Sequence, residues 1–254
     1  MLASQRRKKI LELLTEDGTA RVSDLSSIFV ISEVTIRQDL SKLEEEGYIV
    51  REHGGAYLKS LSNQVQSISF QHMENMDKKS RIGKKAVEFI GNGDTIILDS
   101  GTTVTEIAKN ISGISDLTVI TNAVNMPFII GGLPGVTVFM TSGEFKAPTL
   151  SLTGQKAADF FENIHVDKLF LATAGISLRA GLTYPSLSDL PVKKAMIEAA
   201  TTVYLVADST KLGKEALGIL GSLSKINYII TDSDISDEQK KAFSEHGIEF
   251  IISD

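Results

Sequence analysis

The sequence predicts an α/β protein in two parts. A small helix-rich unit closed by a β-hairpin, the winged helix-turn-helix pattern, precedes a doubly wound, mostly parallel sheet. Three observations carry this expectation. Residues 1–58 hold helical apolar spacing and then a Gly-Gly hairpin signal. Residues 59–76 are polar, rich in Ser, Gln and Asn, and read as a linker. From Asp94 onward, short apolar runs alternate with helical stretches.

Within the first part, a helix is expected over about residues 5–15, with Ser4 as its cap and Ile10, Leu11, Leu13 and Leu14 on its inner face. Asp17-Gly18 ends it. A second helix is expected over 22–29, with Ser23 as cap. After the break VIS, a third runs over about 33–46, capped by Ser32 and stopped by Gly47. YIVREHGGAYL then reads as two strands joined at His53-Gly54-Gly55. In the second part, residues 77–254, a first helix is expected from Asp77 to Ile90. The runs TIILD, LTVIT, VTVFM, KLFLATA, VYLVAD, YIIT and EFIIS have the length and continuous apolarity of strands buried on both faces. Between them, TEIAKNI, AVNMPFII, GQKAADFFENI, VKKAMIEAA and DEQKKAFSEHG read as helices.

Composition limits the function classes. The 254 residues include no cysteine, which excludes disulfides, thiolate zinc sites and cysteine nucleophiles. The four histidines have no ligand spacing, so neither metal nor cofactor is expected. No apolar run approaches the roughly 18–20 residues of a membrane span, and the N-terminus lacks a signal-peptide pattern. A cytoplasmic protein without a membrane partner is expected. Net charge is −6, and residues 1–60 carry 9 Lys and Arg against 10 Asp and Glu. The cations are nevertheless placed: Arg6 to Lys9 form one run, with Arg37 and Arg51 beyond it.

The stretch ISEVTIRQDL, residues 31–40, opens the third helix. Ile36, Leu40 and Leu43 follow core spacing, which turns Ser32, Thr35, Arg37 and Gln38 outward near the helix start, beside Glu33. Free N–H groups and the positive dipole end there suit a phosphate, while Arg and Gln suit base edges. Arg51 and His53 on the hairpin would reach the backbone or minor groove. On residues alone, the same pattern fits a helical bundle with a solvated face, or one that docks another protein.

SEVTIRQDLSKLEEEGYIVREHGGA resembles the N-terminal signature of the DeoR family of bacterial repressors of sugar catabolism. Ser32, Thr35, Ile36, Arg37, Asp39, Leu40, Leu43, Gly47, Arg51, His53, Gly54, Gly55 and Ala56 match it; Gln38 stands where the family usually has arginine. The resemblance implies DNA contact by Ser32, Thr35, Arg37, Arg51 and His53; Gln38 and Glu33 on the same helix start, and Arg6 of the basic run, are expected to join them. It continues through ILDSGTTVTEIA, VKKAMIEAA and ADSTK, and implies a second-domain fold shared with ribose-phosphate isomerase.

Strand ends of a doubly wound sheet converge on one rim. Asp99, Gly101, Thr102 and Thr103 would form an anion loop there. Thr121, Asn122, Gly143, Lys146, Gly175, Asp189, Lys193 and Lys211 would join them, and the resemblance implies that the ligand they surround is a phosphorylated sugar. Alone, Gly-Thr-Thr also serves as a helix cap, and Lys193 and Lys211 as helix-surface charges. Lys146 replaces a family arginine, which keeps the charge but loses the bidentate fork; Ala174 sits where the family often has a polar residue. Catalysis is not expected, because the isomerases' Asp-Gly-Ala-Asp-Glu and Lys-Gly-Gly-Gly blocks are missing; this region reads ATAGISLRAGLTYPSLSD. The expected protein is a repressor of a sugar-utilisation operon, a homodimer or homotetramer on double-stranded operator DNA, controlled by a phosphorylated sugar.

Overall fold

The computed structural model describes residues 1–52, 54–58 and 75–254. They fall into two compact units, Met1–Gln71 and His72–Asp254.

The first unit comprises α1 (Ala3–Asp17), β1 (Thr19–Arg21), α2 (Val22–Phe29), α3 (Glu33–Glu45), β2 (Ile49–Glu52) and β3 (Gly55–Leu58). Its strands form an antiparallel sheet in the order β1-β3-β2. Ile10, Leu13, Leu14, Leu25, Ile36, Leu40, Leu43 and Ile49 are buried together, as their three-to-four spacing requires, while Leu11 is only half-buried. Ser32 caps α3 by accepting a hydrogen bond from Thr35 N at 3.3 Å. Ser4 and Ser23 are not caps, in contrast to expectation. Arg6 N already bonds Leu2 O at 3.0 Å, so α1 starts ahead of Ser4. The three residues of β1 join the wing sheet and deliver the chain straight into α2, whose Val22 N donates to Gly54 O at 2.8 Å. Between α2 and α3, Val30 takes a left-handed conformation at φ 53°. Ser26 holds that turn from both sides, through Ile31 N to its carbonyl at 3.2 Å and its hydroxyl to Ile31 O at 2.6 Å.

The second unit opens with α4 (Met76–Val87). Seven strands follow: β4 (Thr95–Leu98), β5 (Leu117–Thr121), β6 (Val136–Met140), β9 (Val166–Leu171), β12 (Ala200–Val206), β14 (Tyr228–Asp232) and β15 (Glu249–Ser253). All pair in parallel, in the order β15-β14-β12-β9-β4-β5-β6. Each of the seven apolar runs is thus a strand of one sheet, and chain order reverses between β4 and β9. Residues alternate between two apolar layers. Ile97, Leu169, Leu171, Val203, Leu205 and Ile229 face one; Ile96, Leu98, Phe170, Tyr204, Val206 and Ile230 face the other.

The helices α5 (Thr102–Asn110), α6 (Met126–Ile130), α7 (Gln155–Asp159), α8 (Leu190–Ala199) and α9 (Asp237–Ser244) connect the strands. Strand β9 stops before the expected Ala174, because Ala172 N turns to the Asp99 carboxylate and Thr173 Oγ1 bonds Gly175 O and Thr183 O, both at 3.0 Å. Two additions were not expected. One is the hairpin of β7 (Glu144–Lys146) and β8 (Ser151–Thr153); the other is an antiparallel sheet of β10 (Gly175–Ser177), β11 (Gly181–Tyr184) and β13 (Gly218–Gly221). Among the described residues, no helix is long and apolar enough to cross a membrane.

Candidate functional site

Helix α3 separates two kinds of polar residue. Arg37 and Gln38 are exposed beside Ser32 and Glu33, on the flank opposite Ile36 and Leu40. The Ser32 and Thr35 hydroxyls lie 3.0 Å apart at the helix start. Arg37 Nη2 donates to Glu33 Oε2 at 2.6 Å, one turn apart and in water. Val34 adds an apolar side chain, 62% exposed, to the same end. Asp39, by contrast, is buried: it accepts from Arg6 Nε at 2.5 Å and Arg7 Nη1 at 3.5 Å. Arg6, expected to meet DNA, is therefore turned into the unit, with its side chain only 11% exposed. The signal was in the sequence, since Asp39 falls on the same stripe as Ile36, Leu40 and Leu43. Arg51 lies along α3: its backbone N–H donates to Glu44 Oε1 at 3.0 Å and its Nη1 to Ser41 Oγ at 2.5 Å. His53 lies outside the described residues.

In the second unit, the predicted residues meet where the strand order reverses. Asp99 follows β4 and reaches across to β9: its Oδ2 accepts from Ala172 N at 3.0 Å, and its Oδ1 from Ser100 N at 2.8 Å. Lys193, from α8, donates to the same Oδ2 and stands 4.4 Å over the Tyr184 ring. Both partners are wholly buried, so Lys193 is not a surface charge. Burial pushes the Asp99 carboxyl up from its ordinary value, against the pull of the Lys193 ammonium.

Neighbouring side chains bind the rim together. Asn122 Oδ1 accepts from Ser100 N at 3.0 Å, and its Nδ2 donates to Leu152 O at 3.2 Å. Thr121 Oγ1 donates to Leu98 O at 2.6 Å. Lys146, at the end of β7, donates to Asp189 Oδ2 at 2.5 Å, and both are buried. Asp189, the cap residue before α8, and Lys193 in its first turn are four residues apart, so two opposite ion pairs sit side by side with no formal net charge. Gly101 precedes α5, where a Cβ would come 2.7 Å from Ala172 Cβ; Thr103 is buried and Thr102 half-buried in the first turn. Gly143 has φ +131° and leaves room for Thr153 O, 2.6 Å from where a Cβ would stand.

Gly175 joins the rim through Thr173 Oγ1. Half-buried Lys211 ends the short 3-10 turn after Asp208 and, among the described residues, makes no hydrogen bond or ion pair with the Asp99 cluster. That turn is fastened to α4 by residues the sequence reading missed. Lys78 Nζ meets Asp232 Oδ1 at 3.1 Å, Asp234 Oδ2 at 2.7 Å and Ser209 Oγ at 3.0 Å. Burial works against both charges, yet the contacts win: the two carboxylates raise Lys78, while Ser209 and Lys78 hold Asp232 below its ordinary value. Ser100 and Tyr184 were also missed, being an ordinary loop serine and a tyrosine on a strand too short to signal itself. A surface groove of about 450 Å³ lies elsewhere, between α7 and α8, and none of the predicted residues lines it.

Residues 6–61 match the model of the DeoR-like helix-turn-helix domain, and residues 74–233 that of the DeoR C terminal sensor domain. The chain is 35% identical over 247 residues, 96% of its length and 95% of the relative's, to the uncharacterized HTH-type transcriptional regulator YulB of Bacillus subtilis. It is 33% identical to a putative aga operon transcriptional repressor of Escherichia coli O157:H7, covering 98% of this chain and 93% of that one. With the HTH-type transcriptional repressor GlcR of Bacillus subtilis it shares 30% over 254 residues, 100% of this chain and 98% of the other. Among solved structures, the full-length sorbitol operon regulator SorC from Klebsiella pneumoniae aligns with a TM-score of 0.42 and 12% identity over 96% of this chain and 99% of that one. Ribose 5-phosphate isomerase from Plasmodium falciparum aligns at 0.38 and 18% over 53% and 52%. The fold rests on the strand order itself, and the family on the domain matches and full-length relatives: the chain belongs to the DeoR family of transcriptional repressors, with a DNA-binding helix-turn-helix unit and a C-terminal sensor domain.

Proposed function

We propose that this protein represses a sugar-utilisation operon and that a phosphorylated sugar, bound at the sheet rim, controls its hold on operator DNA. The observation that carries the reading is the polarity of α3. One flank is core, and the other presents Ser32, Glu33, Arg37 and Gln38 to solvent, with Thr35 half-buried beside them, at a Ser-capped N-terminus. That is the arrangement with which a second helix enters a major groove. Arg51 flanks it on the wing strand, and exposed Lys8 and Arg21 add charge for phosphates. Arg6 supports the unit from within.

For the effector, the Gly101–Thr103 corner offers a helix start and hydroxyls for a phosphate, with Lys211, which has no carboxylate partner among the described residues, as a candidate cation. Effector and operator then work against each other through a coupling free energy, typically about 1–3 kcal/mol. Two wings on symmetry-related half-sites require a homo-oligomer. The protein is read as a regulator rather than an enzyme, because its relatives are named as regulators and the Asp99–Lys193 pair is closed on itself.

The test is selection of duplexes from a random pool by the full chain, followed by binding in the presence of sugar phosphates. Enrichment of a two-fold-symmetric site, released by one phosphate and not by its bare sugar, is the expected result. Turnover of a sugar phosphate that disappears in Asp99→Asn would overturn the reading.

A further inference from the structure

Asp189 is wholly buried, yet its two carboxylate oxygens are treated differently. Oδ2 takes the Lys146 ammonium at 2.5 Å. Among the described residues, Oδ1 is buried with no hydrogen-bond partner. A buried acceptor without a donor is costly, and native proteins keep such atoms chiefly where a ligand or a function supplies the partner. The cause of this orphan is visible in the chain. Lys146 stands where the family signature has arginine. A guanidinium fork can cover both oxygens of one carboxylate, whereas an ammonium is a point donor and here covers one.

We infer that Asp189 Oδ1 is a selectivity site of the sensor: it accepts a hydrogen bond from a hydroxyl or ammonium on the effector, at the end away from the phosphate. The inference rests on the effector reading above and narrows it. The chemistry fixes the ligand class. A bare anion gives Oδ1 no donor and is repelled by the carboxylate. A sugar or amino-sugar phosphate fills both ends: phosphate at the Gly101–Thr103 corner, donor at Asp189. Asp99 and Lys193 are engaged with each other, and Asn122 with Ser100 N and Leu152 O, so Oδ1 is the acceptor this cluster leaves open. Lys146 is carried on the β7–β8 hairpin, whose Phe145 is exposed, and holds Oδ2 while leaving Oδ1 open to a donor.

The test uses the full chain and thermal-shift titration. The probes are hexose, pentose and triose phosphates, each beside its monodeoxy and amino analogues, with inorganic phosphate as the minimal anion. Wild type is expected to bind one sugar phosphate and to lose about 10- to 100-fold in affinity for one of its monodeoxy forms. Lys146→Arg, which supplies the fork, is expected to bind parent and deoxy form alike, and Asp189→Asn to lose the preference for a donor. If the monodeoxy forms all bind as tightly as the parent, the inference falls and the effector reading stands. If Lys146→Arg keeps the discrimination, the inference falls as well. If no phosphate in the panel moves the melting temperature, the effector reading falls and takes the inference with it. The deoxy series on wild type decides the matter even where a variant fails to fold.

Discussion

Helices α3 and α8 both carry polar and charged residues around their N-termini, and the structure treats the two sets in opposite ways. On α3, Arg37 and Glu33 pair with each other while half in water, and Ser32 and Gln38 face outward. On α8, Asp189 and Lys193 are sealed in the protein and matched to Lys146 and Asp99 from other elements. The outward set costs little to hold and is available to any partner of complementary shape. The inward set had to be neutralised within the fold, so a ligand must compete with, or complete, a network that already exists. If the two sets serve operator and effector as proposed, DNA recognition is additive to folding and effector recognition is entangled with it.

This contrast yields predictions of decreasing size. Lys193→Ala leaves a buried carboxylate without its ammonium, and should cost about 3–5 kcal/mol in urea unfolding of the full chain. A loss under 1 kcal/mol would mean that Asp99 is satisfied without Lys193. Arg6→Ala removes the inner partner of Asp39 and should destabilise the first unit by about 1–3 kcal/mol. Arg37→Ala, only 31 residues further along, should stay within about 0.5 kcal/mol of wild type in stability while weakening DNA binding by about 1–3 kcal/mol. If Arg6→Ala instead left stability intact and weakened DNA binding, the inward assignment of Arg6 would be reversed.

The smallest effect concerns pH. Asp232 titrates below its ordinary value of 3.8 in the folded protein, so its contribution is complete above that value and is lost as pH falls through the lower folded-state value. Lys78 lies above 10.5, so its contribution is complete below that value and is lost as pH rises through the higher one. Melting temperatures between about pH 5 and pH 2 should therefore fall less steeply in Asp232→Asn than in wild type. An unchanged acid slope would remove the Lys78–Asp232 contact from the account.

The main sheet was legible because its strands are continuous apolar runs, a signal that needs no partner to be recognised. The wing hairpin and the Ser32 cap were legible for a similar reason, being local chemistry at fixed offsets. The hairpin of Lys146 and the sheet of Tyr184 were not, because strands of three or four residues, broken by glycine, carry no periodicity. Asp99 could be named from its place at a strand end and Lys193 from the resemblance of VKKAMIEAA, but the two could not be paired, since 94 residues separate them. Asp39 shows where closer reading would have served. A carboxylate on the core stripe of a helix needs an inner cation, and Arg6 was available.

The measurement that bears most directly on the central claim is equilibrium binding of the selected duplex to wild type, Arg37→Ala and Arg6→Ala across a salt series, with urea unfolding of each variant alongside. The account predicts that Arg37→Ala loses affinity at full stability, with wild-type binding falling steeply as salt rises. Binding that is indifferent both to Arg37 and to salt would contradict it, and would return α3 to the role of a solvated helix on a protein that does not read DNA.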